Sequence, residues 1–141
     1  MLSKNLIGKC DSLSFNQNDS LIKLYGSPVI WIDGYQVTSD TIILTYFDNE
    51  IKNFYLPNNP FICFKSDTTI FNQIKGNEMS GTFFQNILQK ISVHSLGESI
   101  YLVKESNKII GLNHTKSPKI LINFFEGKVK EIIYSGNAES L

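Results

Sequence analysis

Three stretches of this chain repeat one another: residues 42–62 (IILTYFDNEIKNFYLPNNPFI), 79–99 (MSGTFFQNILQKISVHSLGES) and 120–140 (ILINFFEGKVKEIIYSGNAES). At offsets of 37 and then 41 residues, Phe47, Phe84 and Phe125 coincide, and each is followed by a polar pair whose second member is Asn or Gly. Each stretch therefore has an apolar run, a tight turn and a second apolar run, which is the pattern of a β-hairpin. The repetition predicts stacked hairpins that share one continuous core.

The rest of the chain continues this pattern, because Ile, Val, Phe, Tyr and Thr dominate short segments separated by turn residues. Hairpin turns are expected where Gly or Asn can accept a positive φ: Asp33-Gly34, Asp48-Asn49, Gln85-Asn86, Ser106-Asn107 and Glu126-Gly127. The four prolines are expected at strand ends or edges, since Pro removes a ladder hydrogen bond. The sequence thus predicts one all-β domain over residues 1–141, an antiparallel rolled sheet of repeated hairpins.

One segment conflicts with this interpretation. Phe83, Phe84, Ile87, Leu88 and Ile91 recur at helical spacing, and this window alone would fit an amphipathic helix. The equivalent windows of the other two repeats contain Asp-Asn and Glu-Gly pairs, which are unfavourable in the middle of a helix. The repeat therefore favours a hairpin here, and no substantial helix is expected anywhere in the chain.

Alternation along the repeated strands separates an apolar face from a polar one. The candidate groove residues on the apolar face are Ile42, Leu44, Tyr46, Phe54, Met79, Phe83, Ile91, Ile120, Ile122 and Phe124. The opposite face carries polar residues such as Thr45, Thr82 and Asn123. Two interpretations of the apolar face remain open at this stage. It forms either a closed, dry core between two sheets or a groove that holds an aliphatic ligand.

Composition excludes several classes of protein. With 141 residues and 42% apolar side chains, the chain is long enough and apolar enough to fold without metal or disulfide staples. Thirteen basic residues balance thirteen acidic ones, which argues against a nucleic-acid partner. No apolar run approaches the roughly 20 residues of a transmembrane helix, and no signal-peptide pattern precedes Lys9.

The residues that usually carry catalysis or bind metals form no recognisable motif. His94 and His114 are the only imidazoles, and neither stands in a metal-binding pattern. Cys10 and Cys63 are far apart in sequence and are expected to be two free thiols, with a disulfide as the minority interpretation. There is no nucleophile elbow and no phosphate-binding loop. The sequence therefore predicts no catalytic residue, no metal and no cofactor, and indicates that the protein is not an enzyme.

The chain resembles the OstA-like (organic solvent tolerance A-like) family, which includes the LptA-like periplasmic bridge proteins of lipopolysaccharide transport. The resemblance covers about residues 10–140. The stretches that carry it are CDSLSF (10–15), DSLIKLY (19–25), PVIW (28–31), DGYQVTSDTI (33–42), QIKG (73–76), MSGTF (79–83), NILQKI (86–91) and GESIY (97–101). These are turn and core positions, so no individual ligand residue transfers from the family. The absence of a leader suggests a segment of a longer exported protein.

The resemblance implies a jelly-roll-like "β-taco", a V-shaped sheet that is open along its length. It further implies a periplasmic location, an apolar interior that shelters the acyl chains of lipopolysaccharide or another lipid, and terminal edge strands that pair with similar domains.

Two other functions are considered beside this one. The chain would be a structural, oligomerising β-repeat scaffold if its core is filled. It would be a carbohydrate-binding β-sandwich if Trp31, Tyr35 or Tyr55 lie exposed for stacking on sugars.

Overall fold

The structure, a computed structural model, describes residues 6–32, 34–65, 70–136 and 139–140. These residues form strands joined by turns and contain no helix. The fourteen strands are β1 (Leu6–Lys9), β2 (Ser12–Asn16), β3 (Leu21–Tyr25), β4 (Val29–Ile32), β5 (Tyr35–Thr38), β6 (Thr41–Phe47), β7 (Glu50–Leu56), β8 (Phe61–Lys65), β9 (Ile70–Lys75), β10 (Glu78–Phe84), β11 (Ile87–Glu105), β12 (Lys108–Phe125), β13 (Lys128–Ser135) and β14 (Glu139–Ser140). The expected all-β fold class is confirmed.

All fourteen strands belong to one antiparallel sheet, which curls into two facing layers. The first layer runs β1-β4-β5-β8-β9, then through residues 97–105 of β11 and 108–117 of β12 to β14. The second layer runs β2-β3-β6-β7-β10, then through residues 87–94 of β11 and 119–125 of β12 to β13. The two longest strands therefore pass from one layer to the other and hold the layers together at one side, called here the crease.

The hairpin turns lie at the opposite side of each layer, called here the rim. Three turns of the second-layer rim are the predicted pairs 48–49, 85–86 and 126–127. Both residues of each pair have a positive φ, for example 52° at Gln85 and 64° at Asn86. This conformation matches the right-handed twist of the flanking strands. The helical spacing in residues 83–91 therefore belongs to a hairpin, as the repeat predicts. Asp33, from another predicted turn, lies outside the described residues.

Each of these three hairpins carries a β-bulge at the same place. The pairing shifts between Thr45 and Tyr46, between Thr82 and Phe83, and between Asn123 and Phe124. The unmatched residue stands on the second strand, at Lys52, Gln89 and Lys130 respectively. One extra residue reverses the alternation of a strand. Apolar residues three apart, such as Leu88 and Ile91, therefore both point inward.

One expectation about proline is wrong. Pro28, Pro57 and Pro60 lie outside the strands, but Pro118 lies inside β12. Opposite it, Ser95 and Leu96 form an irregularity in β11, with φ values of 59° and 70°, where the ladder between β11 and β12 is interrupted. Because no ladder hydrogen bond is formed there, the missing N–H of proline costs nothing.

The core lies between the two layers and draws on both of them. The second layer contributes the repeat residues, and the first layer contributes a row that includes Ile30, Val37, Ile62 and Ile74, each no more than 1% exposed. Together they form a single apolar cluster. In the part of the chain that the structure describes, no helix is long and apolar enough to cross a membrane.

Candidate lipid-binding groove

The structure places all ten candidate groove residues on the inner face of the curled sheet. Nine belong to the apolar cluster, and Tyr46 packs against it. Seven of them are at most 1% exposed: Ile42, Leu44, Phe54, Met79, Ile91, Ile120 and Ile122. Phe83 and Phe124 are each 7% exposed and stand next to the rim. The candidates thus divide into a deep row and an aromatic row near the rim.

The deep row is tightly packed rather than hollow. Phe54 and Phe83 meet edge to face with ring centroids 5.9 Å apart. Gly81 makes room for the Phe54 ring, because a Cβ at this glycine would lie 2.2 Å from Phe54 Cε2. Neighbouring strands of the second layer therefore pack closely against each other at this level. An acyl chain can reach the deep row only if the layers separate or their side chains move.

Tyr35 closes the rim by reaching from the first layer to the second. Its hydroxyl donates a hydrogen bond to the Gly127 carbonyl oxygen at 3.1 Å. Its ring packs against Phe64 at a centroid distance of 4.9 Å and against Phe124, edge on, at 5.3 Å. Above these rings lies a cleft of about 350 Å³, called here the seam cleft, which Tyr35, Phe64, Lys65, Gly127 and Lys128 help to line. The seam cleft is thus lined by buried aromatic residues, two lysines and turn glycines.

The amino-terminal end of the curled sheet exposes part of its inner face. Leu13 and Phe15 of edge strand β2 are 58% and 55% exposed, although their cross-strand partners Leu24 and Ile22 are buried. Phe15 also stacks on Tyr46 at a centroid distance of 5.3 Å. The apolar face therefore continues to the end of the sheet and stops uncovered there.

The carboxyl-terminal end differs in chemistry. Its inner side is polar, since Ser99 Oγ and Tyr134 Oη form a hydrogen bond of 2.8 Å between the layers. On the hairpin between β11 and β12, Ile109, Ile110 and Leu112 are 58%, 59% and 67% exposed. Among the described residues, β12 pairs with β14 only around residues 115–116, so residues 108–113 form an open edge. Apolar side chains thus flank unpaired backbone at this end.

A charged cluster lies on the first layer near the crease. Glu98 accepts a hydrogen bond from His114 Nε2 and lies 3.6 Å from Lys75 Nζ. Burial raises the pKa of Glu98, but the His114 hydrogen bond and the charges of Lys75, His114 and Lys116 outweigh this effect, so the pKa of Glu98 is lowered overall. The cluster borders a second cleft of about 440 Å³, which Leu96 and Pro118 also line. It joins strands β9, β11 and β12.

The two cysteines do not form a disulfide. Cys10 and Cys63 are both free thiols, as expected, and both are half-buried. Burial raises the pKa of the Cys63 thiol. A raised pKa keeps a thiol protonated and weakly nucleophilic. Among the described residues, no cluster of three or more His, Cys, Asp or Glu side chains is suited to a metal ion.

Sequence reasoning missed half of the inner face. The first-layer residues Ile30, Ile32, Val37, Ile62 and Ile74 are as deeply buried as the candidates. They lie outside the two strands of each repeated hairpin, from which the candidates were chosen, although their strands alternate clearly in sequence. The seam cleft was missed as well. Its residues lie far apart in sequence, and nothing in the alternation of single strands indicates that they meet.

These features define an LptA-like fold, in which one curled antiparallel sheet encloses an apolar face. The chain is similar to the crystal structure of LptH, the LptA homologous periplasmic component of the conserved lipopolysaccharide transport device from Pseudomonas aeruginosa. The two match with a TM-score of 0.71 over 96% of this chain and 93% of that chain, at 11% sequence identity. At this identity the likeness establishes the shared fold. No family model and no curated protein sequence matches the chain.

Proposed function

We propose that this chain is a non-enzymatic module of a periplasmic lipopolysaccharide-transport bridge and that it shelters acyl chains between its two layers. The observation that carries this proposal is the continuous apolar inner face, present in a fold shared with a periplasmic transport component over nearly the whole chain. Burying an acyl chain contributes about 0.8 kcal/mol per methylene group, so a long apolar face can hold a lipid without any specific polar contact. The ligand is lipopolysaccharide or another lipid with acyl chains.

Burial suggests an order of contact for the lipid. The rim aromatics Tyr46, Phe83 and Phe124 retain some exposure, whereas Leu44 and Ile122 have none. An incoming chain would therefore touch the aromatic row first and reach the deep row only after the layers part.

The test is photocrosslinking to lipopolysaccharide, with a photoreactive residue placed at one position at a time. Phe83 and Phe124 probe the rim, Leu44 and Ile122 probe the deep row, and Thr82 serves as an outward control beside Phe83. We expect adducts at the rim, adducts at the deep row if the layers part, and none at Thr82. A folded protein that gives no adduct at any inner position contradicts the carrier function.

We also propose end-to-end docking with similar domains through the exposed edges. Strands β1 and β2 form the amino-terminal edge, and β13 with the open part of β12 forms the other. Unpaired edges bind further strands readily, and two different edges generate open chains of molecules rather than closed dimers. The uncovered Leu13 and Phe15 would then be buried against the next domain.

A structural scaffold is the second candidate, and the tight packing of the deep row favours it. The edge-to-face contact of Phe54 with Phe83 and the fit of Gly81 are what a permanently filled core requires. A scaffold would assemble end to end but give no inner crosslinks.

The third function, sugar binding, loses one of its three residues, because Tyr35 is buried at 7% exposure. Trp31 and Tyr55 are partly exposed, and each donates a hydrogen bond, to Gln36 and Glu78 respectively.

A further inference from the structure

We propose that the rim of the second layer is an interface between two copies of this chain, which pair about a two-fold axis at the β10–β11 hairpin. The contact surface lies on the outer face, away from the apolar interior and from the edge strands. This inference therefore stands or falls independently of the proposed carrier function. The surface, called here the rim row, consists of the outward residue pairs beside the three hairpin turns: Phe47 with Glu50, Phe84 with Ile87, and Phe125 with Lys128.

Exposure of the rim row is the first argument. Phe47, Phe84 and Phe125 are 68%, 63% and 64% exposed, although Phe83 and Phe124, their neighbours in the chain, are buried on the inner face. A single exposed hydrophobic residue is common on a protein surface, but a contiguous exposed patch marks an interaction site. The same large aromatic residue stands in solvent at the same place of every repeated hairpin, so the rim row is a repeated surface feature.

The strand order places these residues in one line. Strands β6, β7, β10, β11, β12 and β13 are consecutive neighbours in the second layer. Successive phenylalanines are therefore two strands apart, and the line from Phe47 to Phe125 is about 20 Å long at the usual strand spacing. Ile87, which is 40% exposed, lies opposite Phe84 at the middle of the line.

The area of the rim row is sufficient for a weak dimer. At about 200 Å² for a phenylalanine side chain, the three rings together expose about 400 Å², and burying them on both copies removes about 800 Å² from solvent. Ile87, Glu50 and Lys128 bring this area to the roughly 1,000 Å² at which specific interfaces begin. We therefore expect a reversible dimer that forms only at high protein concentration.

Charge complementarity identifies the partner as a second copy in the reversed order. Residues 47–52 (FDNEIK) carry one net negative charge, residues 84–89 (FQNILQ) carry none, and residues 125–130 (FEGKVK) carry one net positive charge. A two-fold axis through the middle stretch sets the negative end of one copy on the positive end of the other and the neutral stretch on itself. Pairing in the same order would instead set like charges on each other.

Glu50 and Lys128 are the residues that this arrangement brings together. Glu50 accepts a hydrogen bond from Lys52 Nζ at 2.9 Å, but its side chain is still 33% exposed. Lys128 is exposed. The Glu50 carboxylate can therefore also accept a hydrogen bond from Lys128 of the second copy, and the two-fold axis forms this ion pair twice.

Sedimentation equilibrium of the intact chain, at concentrations up to about 1 mM, tests the interface. We expect the native chain to dimerise and Phe84→Ser, at the axis, to weaken dimerisation at least about tenfold. Lys128→Glu should weaken it by about tenfold, because two attractive charge pairs become repulsive. The double variant Glu50→Lys/Lys128→Glu reverses the charge order along the whole line and should restore dimerisation to within about threefold of the native value.

Lys119→Glu is the matched control, since Lys119 is exposed on β12 like Lys128 but close to the crease. It should dimerise as the native chain does. Association through the strand edges would persist in every rim variant, so the rim contact is the part of the association that Phe84→Ser removes. Thermal unfolding of each variant verifies that the fold is retained.

Three results would overturn the interface. A native chain that associates no more than Phe84→Ser has no rim contact. A double variant as weak as Lys128→Glu shows that the two charged ends do not meet. If the native chain stays monomeric but sediments with phosphatidylglycerol vesicles, and Phe84→Ser does not, the rim row binds a membrane surface instead of a second copy.

Discussion

At the scale of single residues, the fit of Gly81 beneath Phe54 shows how little free space the inner face has. A methyl group at this position would overlap the ring, since the Cβ would lie 2.2 and 2.3 Å from two ring carbons. We expect Gly81→Ala to lower the free energy of unfolding by about 1–3 kcal/mol, the usual cost of overpacking. Urea denaturation of the variant measures this loss.

A compensating substitution at Phe54 tests whether overlap with the Phe54 ring causes the loss of stability in Gly81→Ala. Phe54→Leu alone leaves a cavity and should also destabilise the protein. In the double variant Gly81→Ala/Phe54→Leu, the new methyl group occupies part of that cavity, so the combined loss should be smaller than the sum of the two single losses. Additive losses would show that Gly81 is required for another reason.

Glu98 gives a pH dependence whose sign follows from its surroundings. Its pKa is lowered in the folded protein, so the ionised form stabilises the fold above the ordinary pKa of glutamate. This stabilisation is lost as the pH falls through the lowered value. We expect Glu98→Gln to reduce stability at neutral pH and to flatten the loss of stability that follows when the pH falls below the ordinary pKa of glutamate.

Urea denaturation at several pH values measures this effect, and Glu126→Gln is the matched control. Glu126 has the same side chain at an exposed hairpin turn, and its positive φ of 53° is unaffected by the amide. A Glu98→Gln variant with the same acid profile as the native chain would mean that the bonds to His114 and Lys75 contribute nothing to stability.

At the scale of elements, the bulge three residues after each turn decides which side chains face inward. Gln89 is the unmatched residue of the β10–β11 hairpin. Deleting it should return β11 to simple alternation and turn Ile91 and Val93, both 0% exposed, toward solvent. We expect the deletion to abolish cooperative unfolding, as followed by circular dichroism during heating.

The substitution Gln89→Ala keeps the residue count and is the control. Gln89 is exposed, and its side chain donates a hydrogen bond to the nearby Ile87 carbonyl oxygen. Its replacement should change the free energy of unfolding by no more than about 0.5 kcal/mol, as for an ordinary surface position. If the deletion lowers the free energy of unfolding no more than the substitution does, the hairpin tolerates a shift of register and the bulge is not required.

The turns and strands differ in how far they could be predicted from the sequence. The repeat locates the turns at 48–49, 85–86 and 126–127 and the inward residues beside them, because turn chemistry and alternation are local. The continuity of β11 and β12 through both layers is not predictable in this way. Pro118 marks a strand end in the sequence, and Ser95 and Leu96 interrupt the ladder with positive φ values, yet pairing on both sides of this interruption keeps β11 and β12 each in one strand.

The candidate site, too, was predictable where it depends on single strands and was not predictable where it depends on contacts between distant strands. The buried inner face follows from the alternation of single strands, and its second-layer half was located residue by residue. The seam cleft depends on Tyr35 of β5 meeting Gly127, 92 residues away, and on how strongly the sheet curls. Tyr35 itself alternates as an inner residue of β5, yet its contact with the opposite rim is a property of the folded sheet.

At the scale of the whole molecule, the two ends predict directional assembly. Lysine at Leu13 and Phe15 would place charges on the uncovered apolar face of β2 without entering the buried core. We expect Leu13→Lys/Phe15→Lys to shift concentration-dependent association toward monomer in sedimentation velocity, since an interface does not readily bury unpaired charges. Tyr55→Lys is the control, because Tyr55 is 37% exposed on the middle strand β7, away from both ends and from the rim row. An equal loss of association in both proteins would place the contact elsewhere.

The identical position of turn and bulge in all three hairpins has a consequence for how such proteins change in length. A duplicated segment of 37 to 41 residues adds two strands to each layer. Because the segment brings its own bulge, the alternation of inward and outward residues is reset within it, and every residue downstream keeps its orientation. Each added segment would extend the sheet by about 10 Å, the width of two strands. A gene that gains or loses whole segments therefore changes the length of the molecule in fixed steps, while its cross-section stays constant.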